Sequence, residues 1–187
     1  MENAELKQHL YECLRREVMM SCKPFSWWRV IHKAFKCPER RYHFWWRIAS
    51  YLYKSGKNKY IAKRINRSLV LKYSTEIQLA AHIGPGMTIS HHHGIVVNGA
   101  VLIGNSFRIR QNVTIGISGN SKCDASPSIV IGNNVEIGVG SCIISNKINI
   151  GDNVTIGALS FINKDIPSNH TVFNGKHNVF ISKGLTK

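Results

Sequence analysis

Aliphatic residues in the second half of the chain recur every six positions. The series runs Ile77, Ile83, Ile89, Ile95, Val101, shifts by two to Ile103, Ile109, Ile115, resumes at Ile131, Ile137, Ile143, and after one extra residue continues at Ile150, Ile156, Ile162. Glycine follows directly behind Ile83, Ile103, Ile115, Ile131, Ile137, Ile150 and Ile156. A period of six is neither the roughly 3.6 of a helix nor the roughly 2 of a strand. It predicts a parallel β-helix, in which each coil is a triangle of three short strands and six residues supply one side and its corner. The aliphatic residue points into the prism. The glycines and the corner residues Asn105, Asn133, Asn134 and Asn153 are expected at turns, where positive φ is cheap for Gly, Asn or Asp. One repeat cannot bury its apolar face, so coils must stack. Residues 75–165 leave room for about five.

The first half has a different pattern. Leu6, Leu10, Leu14 and Val18 lie four apart, one face of a helix over residues 2–20, and Pro24 breaks it. A second helix is expected over 26–36 with Ser26 as N-cap, ending before Pro38. A third runs from Glu39 to Ser55, closed by Gly56, and a fourth covers 57–71. The stretch 117–128, ISGNSKCDASPS, interrupts the six-residue period and is expected as an extruded loop. The predicted organisation is an α-helical N-terminal domain over 1–74, the β-helix over 75–167, and a C-terminal tail over 168–187.

Charge adds a constraint on partners. Twenty-five Lys and Arg against 10 Asp and Glu give a formal net charge of +15, which calls for an anionic partner. Most of the surplus lies in the helical half, interleaved with Trp27, Trp28, Trp45, Trp46, Tyr51 and Tyr53. Basic and interfacial aromatic residues together suit peripheral contact with a membrane surface. Nucleic acid would also suit the charge, but no nucleic-acid motif is present and none is expected as partner. Five cysteines without a CxxC spacing fit a reducing compartment rather than a disulfide framework. The polar start MENAELKQHLYE does not read as a signal peptide. The expected location is the cytoplasm, at the inner face of the membrane where the basic helices make contact.

The stretch MTISHHHGIVVNGAVLIGNSFRIRQNVTIG and the ending IGALSFINKDIP resemble the serine acetyltransferases and their polysaccharide O-acetyltransferase relatives. The resemblance runs from about Glu39 to Pro167. It implies a left-handed β-helix, acetyl-CoA as co-substrate without a metal, and a homotrimer. It places the catalytic base on His91 and its orienting carboxylate on Glu76. Val139 and Ala158 match backbone contacts to the coenzyme, and Lys164 a lysine near it. Ser90 and His93 fall in the acceptor pocket. Three departures stand out: Ser90 replaces the family's acid before the base, Asn98-Gly99 replaces its Gly-Glu, and Ala125-Ser126-Pro127 replaces its Arg-His-Pro. The part of the pocket that holds an amino acid is therefore largely missing.

The chemistry suits these residues. An alcohol is not ionised at neutral pH, so a base must remove its proton as the new bond forms, and imidazole with a pKa near 6.5 can do so. A carboxylate on the other ring nitrogen fixes which nitrogen attacks. His91 and Glu76 are fifteen apart, near one coil of about 18 residues. The expected acceptor is a sugar hydroxyl of a surface polysaccharide or its precursor, with L-serine as the alternative. A reading from another class is a zinc-dependent hydratase using His82, His91 and His93.

Overall fold

The computed structural model describes residues 3–119 and 129–175. Helix α1 (Asn3–Leu14) continues through a wider turn, Arg15–Met19, and stops at Met20, which is left-handed with φ 46°. Leu6, Leu10, Leu14 and Val18 are all buried, as their spacing predicts. Helix α2 (Trp27–Lys36) follows Ser26, which sits at the N-cap position without a side-chain capping bond. Helix α3 (Pro38–Lys54) begins on Pro38 rather than beyond it. Proline in the first turn gives up an N–H that has no helical partner there, so it starts a helix as well as ending the one before. Helix α4 (Lys59–Tyr73) is capped by Asn58, whose side chain accepts the Ile61 N–H at 3.0 Å.

Fourteen short strands follow among the described residues: β1 (Thr75–Ile77), β2 (His82–Ile83), β3 (Thr88–Ile89), β4 (Ile95–Val97), β5 (Val101–Ile103), β6 (Arg108–Ile109), β7 (Thr114–Gly116), β8 (Ile129–Ile131), β9 (Glu136–Ile137), β10 (Cys142–Ile144), β11 (Ile148–Ile150), β12 (Thr155–Ile156), β13 (Phe161–Ile162) and β14 (Thr171–Val172). They form three parallel sheets, ordered β1-β4-β7-β10-β13, β2-β5-β8-β11 and β3-β6-β9-β12-β14. Each strand therefore pairs with the one three further along, except that β12 pairs with β14, and the chain winds round three faces. Every aliphatic residue of the six-residue series is buried, so the winding encloses a continuous aliphatic column. The winding runs on past residue 167, the expected end of the repeats, because Thr171–Val172 pairs with β12. The loop expected over 117–128 lies outside the described residues from position 120 on, as does the tail from 176.

The glycines behind the isoleucines act differently from the expectation. None of those at 84, 104, 132, 138, 151 and 157 has positive φ. Their backbones instead touch the next turn. A Cβ on Gly84 would lie 2.6 Å from the Gly104 carbonyl oxygen, one on Gly104 2.8 Å from Gly132, and one on Gly132 2.7 Å from Gly151. Glycine is required here by close stacking of backbones, not by turn conformation. The corner asparagines divide in the same way. Asn134 and Asn153 are left-handed, with φ 54° and 55°. Asn105 and Asn133 are not, and the Asn133 side chain accepts the Asn105 N–H at 2.9 Å across turns.

Helix α3 closes the first turn. A winding leaves unpaired carbonyls at its end, which need partners when covered. Trp46 Nε1 donates to the Ile77 carbonyl at 3.0 Å, Ser50 Oγ to Leu79 at 3.1 Å and Lys54 Nζ to Ala81 at 2.6 Å. Arg47 donates to the carbonyls of Ile83 at 2.7 Å and Gly84 at 2.9 Å, and forms a buried two-pronged pair with Glu17 at 2.6 and 2.8 Å. Glu17 also accepts the N–H groups of Gly86 and Met87. One ion pair thus ties the wide turn after α1, helix α3 and the first turn of the winding together.

Candidate functional site

The three histidines lie in the turn between β3 and β4. Its shape is fixed by backbone bonds: the Ser90 N–H donates to Ile109, the Gly94 N–H to Ser74 at 2.8 Å, and the Asn112 N–H to the His93 carbonyl at 2.9 Å. His93 and Gly94 both have positive φ, 116° and 65°, and a Cβ on Gly94 would run into the Asn112 side chain. Gly94 is therefore held by conformation and by space together.

The middle histidine is the anchor. His92 Nδ1 lies 3.2 Å from Thr75 Oγ1, and its ring packs against Tyr42 and Tyr73 with centroids at 4.6 and 5.0 Å. Burial, with the nearby His43 and His93, lowers its pKa to about 4, so the ring is neutral near pH 7. His91 and His93 on either side are exposed. Inserting the central ring into the Tyr42–Tyr73 pocket is what leaves the flanking rings outside. Sequence reasoning gave His92 no role. The residues that would have marked it, Tyr42 and Tyr73, are remote in the chain and carry no motif.

Glu76 is the exposed middle residue of β1, between buried Thr75 and Ile77, and pairs in register with Val96 on β4. It shares a sheet with the strand that follows the histidine turn, but among the described residues no hydrogen bond or ion pair joins it to His91. Ser90 is exposed at the start of the turn.

Val139 and Ala158 occupy the same corner on successive turns. The Leu159 N–H donates to the Val139 carbonyl at 2.8 Å, and a Cβ on Gly138 would lie 2.5 Å from the Ala158 nitrogen. Leu159, Phe161 and Phe173 are exposed nearby in sequence and register, an apolar surface at the end of the winding. Lys164 is exposed in the bend after β13.

The metal-ligand set of the hydratase reading is not assembled. His82 lies on β2, in a different sheet from the histidine turn, and stacks on His9 with ring centroids 5.0 Å apart. Among the described residues no group of three or more His, Cys, Asp or Glu is placed to hold a metal ion.

No family model matches the chain. Individual proteins do. It is 35% identical over 98 residues to serine acetyltransferase 1, chloroplastic, of Arabidopsis thaliana, covering 52% of this chain and 30% of that protein. It is 40% identical over 111 residues to the putative colanic acid biosynthesis acetyltransferase WcaB of Escherichia coli (strain K12), covering 59% of this chain and 66% of that protein. In fold it is similar to the native serine acetyltransferase 1 of Entamoeba histolytica, with a TM-score of 0.69 at 27% identity over 91% of this chain and 63% of that one. The matched stretch spans less than half the length of the curated serine acetyltransferases. In sequence and in its three-sided winding the chain is similar to acetyltransferases. Among these it is serine acetyltransferase-like.

Proposed function

We propose that the chain is an acetyl-CoA-dependent O-acetyltransferase whose general base is His91. The observation that carries this reading is the histidine turn, in which an anchored His92 presents an exposed imidazole on either side. The proposed frame is a left-handed β-helix that starts at 75 and runs on through β14, behind a helical domain over 1–74, assembled as a homotrimer in the cytoplasm.

The corner formed by Val139 and Ala158 is assigned to the coenzyme arm. Backbone atoms approach closely there because Gly138 has no side chain, and exposed Leu159, Phe161 and Phe173 offer apolar surface. When bound, acetyl-CoA supplies an activated acetyl group. His91 accepts the proton of the acceptor hydroxyl as the new C–O bond forms, and later returns it toward the leaving thiolate. Glu76 is assigned to hold the imidazole in the productive tautomer, Ser90 and His93 to the acceptor, and Lys164 to the coenzyme.

The acceptor is proposed to be a sugar hydroxyl of a surface polysaccharide or its precursor. Two things support this: the amino-acid-binding charges are absent at Ser90 and Asn98-Gly99, and the WcaB match covers more of its partner's length than the serine acetyltransferase matches do. L-serine is the second reading, favoured by the number of serine acetyltransferases among the relatives.

A thiol-release assay with acetyl-CoA decides between them. Turnover with sugar acceptors and none with serine is expected, and efficient turnover of serine alone would reverse the assignment. His91→Ala should keep the fold and lose roughly 10²–10⁴-fold in rate. An undiminished rate would remove His91 as the base.

A further inference from the structure

Helix α2 has more apolar surface than the protein covers. At about 100° per residue, Val30 and Ala34 lie together on the buried side. Trp28, Ile31 and Phe35 continue the apolar arc within about 60° of one another on the outer side. Trp28 is 77% and Phe35 63% exposed, and Met20, just before the helix, is 63% exposed. Trp27, next to Trp28, is turned inward by comparison and packs edge-on against Tyr11 and Phe25.

The rest of the helix surface is basic. Arg29, His32, Lys33 and Lys36 fill the arc beside the exposed apolar one, and no Asp or Glu occurs between Glu17 and Glu39. A groove of about 470 Å³ opens beside this arc, lined by Met20, Lys23, Trp28, Arg29, His32 and Lys33. It therefore combines cationic groups with apolar side chains. Among the described residues none of these cations has a salt-bridge partner.

We propose that α2 is a membrane-docking helix that lies flat on an anionic phospholipid surface, with Trp28, Ile31 and Phe35 in the headgroup–acyl boundary and Lys23, Arg29, Lys33 and Lys36 on headgroup phosphates. An amphipathic helix with aromatic and aliphatic residues on one arc and Lys or Arg on the next binds interfaces in this way. Each basic residue near an anionic surface adds about 1 kcal/mol. Charge selects this occupant over a second copy of the chain. Facing copies would bring the same cations together with no helix carboxylate to offset them, which is unfavourable. A phosphate-bearing bilayer satisfies the apolar and the basic arcs at once. No helix of the described residues is long and apolar enough to cross a membrane, so the contact is peripheral.

The test is co-sedimentation of the full chain with vesicles of phosphatidylcholine mixed with phosphatidylglycerol, against vesicles of phosphatidylcholine alone. The wild type should bind the mixed vesicles, less tightly as salt rises. Trp28→Ser with Phe35→Ser should weaken binding roughly tenfold or more, and Arg29→Glu with Lys33→Glu should abolish the preference for the anionic vesicles. Both variants should keep the wild-type circular dichroism, since these side chains lie on the outer surface. Equal binding to both vesicle types, or wild-type binding by both variants, overturns the proposal. So does a shift to a smaller assembly in Trp28→Ser/Phe35→Ser by ultracentrifugation, which would make the face a contact between copies. Tighter binding of duplex DNA than of mixed vesicles, unaffected by that variant, would also overturn it.

Discussion

Thr75 and His92 are joined side chain to side chain at 3.2 Å, and this contact anchors the backbone-bonded histidine turn. Thr75 is the buried first residue of β1, directly after the left-handed Ser74 that ends α4. The turn is therefore anchored at the point where the helices meet the winding. Replacing His92 by Ala removes the ring from between Tyr42 and Tyr73 together with the bond to Thr75. It should cost roughly 1–3 kcal/mol in urea unfolding. If His91 is the base, the same variant should also lower kcat more than it raises the KM for acetyl-CoA, because the turn that aims His91 is loosened. Unchanged stability would mean that the ring packs without holding the turn.

Acid should destabilise the fold well before its carboxylates are neutralised. His92 and His9 both have folded-state pKa values lowered to about 4, chiefly by burial, from 6.5. Between these values the unfolded chain binds more protons than the folded one, so stability is full above pH 6.5 and falls as the pH drops toward about 4. Thermal unfolding across that window should show the fall, and it should be smaller in His92→Phe. A flat profile would contradict the placement of both rings.

The buried pair of Glu17 and Arg47 should be costly to break from one side. Glu17→Ala leaves the Arg47 guanidinium buried without its carboxylate, and it frees the N–H groups of Gly86 and Met87. Loss of roughly 3–5 kcal/mol is expected. The double variant Glu17→Leu/Arg47→Met should lose clearly less than the two single losses added together. Additive losses in a double-mutant cycle would show that the two residues act independently.

Stacking glycines should tolerate even a methyl group poorly. In Gly132→Ala the added carbon meets Gly151 backbone at 2.7 Å, and backbone cannot rotate away. Overpacking of this kind costs about 1–3 kcal/mol. Among the described residues Gly119→Ala meets nothing within 4 Å, and it bears the strain of its positive φ. Thermal denaturation should therefore rank Gly132→Ala below Gly119→Ala, and the reverse order would return these glycines to a conformational role.

The six-residue period was sufficient to place Ile77 through Ile162 in the core, because an inward position repeats at a fixed interval whatever the chain does at the corners. It could not tell why glycine follows isoleucine. A small residue at a turn and a small residue under a neighbouring turn look alike in one dimension. Pro38 was ambiguous for a similar reason, since proline both ends and begins helices. The pairing of Thr171–Val172 was missed because those two residues carry neither the isoleucine nor the glycine of the repeat. At the site, the histidine run was visible but its division into one anchored and two exposed rings was not. That division depends on Tyr42, Tyr73 and Thr75, which converge only on folding.

Backbone-on-backbone seating at Gly84, Gly104, Gly132 and Gly151 also limits how such a chain can change length. A residue gained or lost within a side would slide every later isoleucine out of the column and every later glycine off its seat. Growth is confined to whole circuits, added or removed as units, and to the vertices, where extra residues can leave and return without disturbing the rungs above. Gly116, which ends β7, and Ile129, which begins β8 in the next sheet, flank one of those vertices.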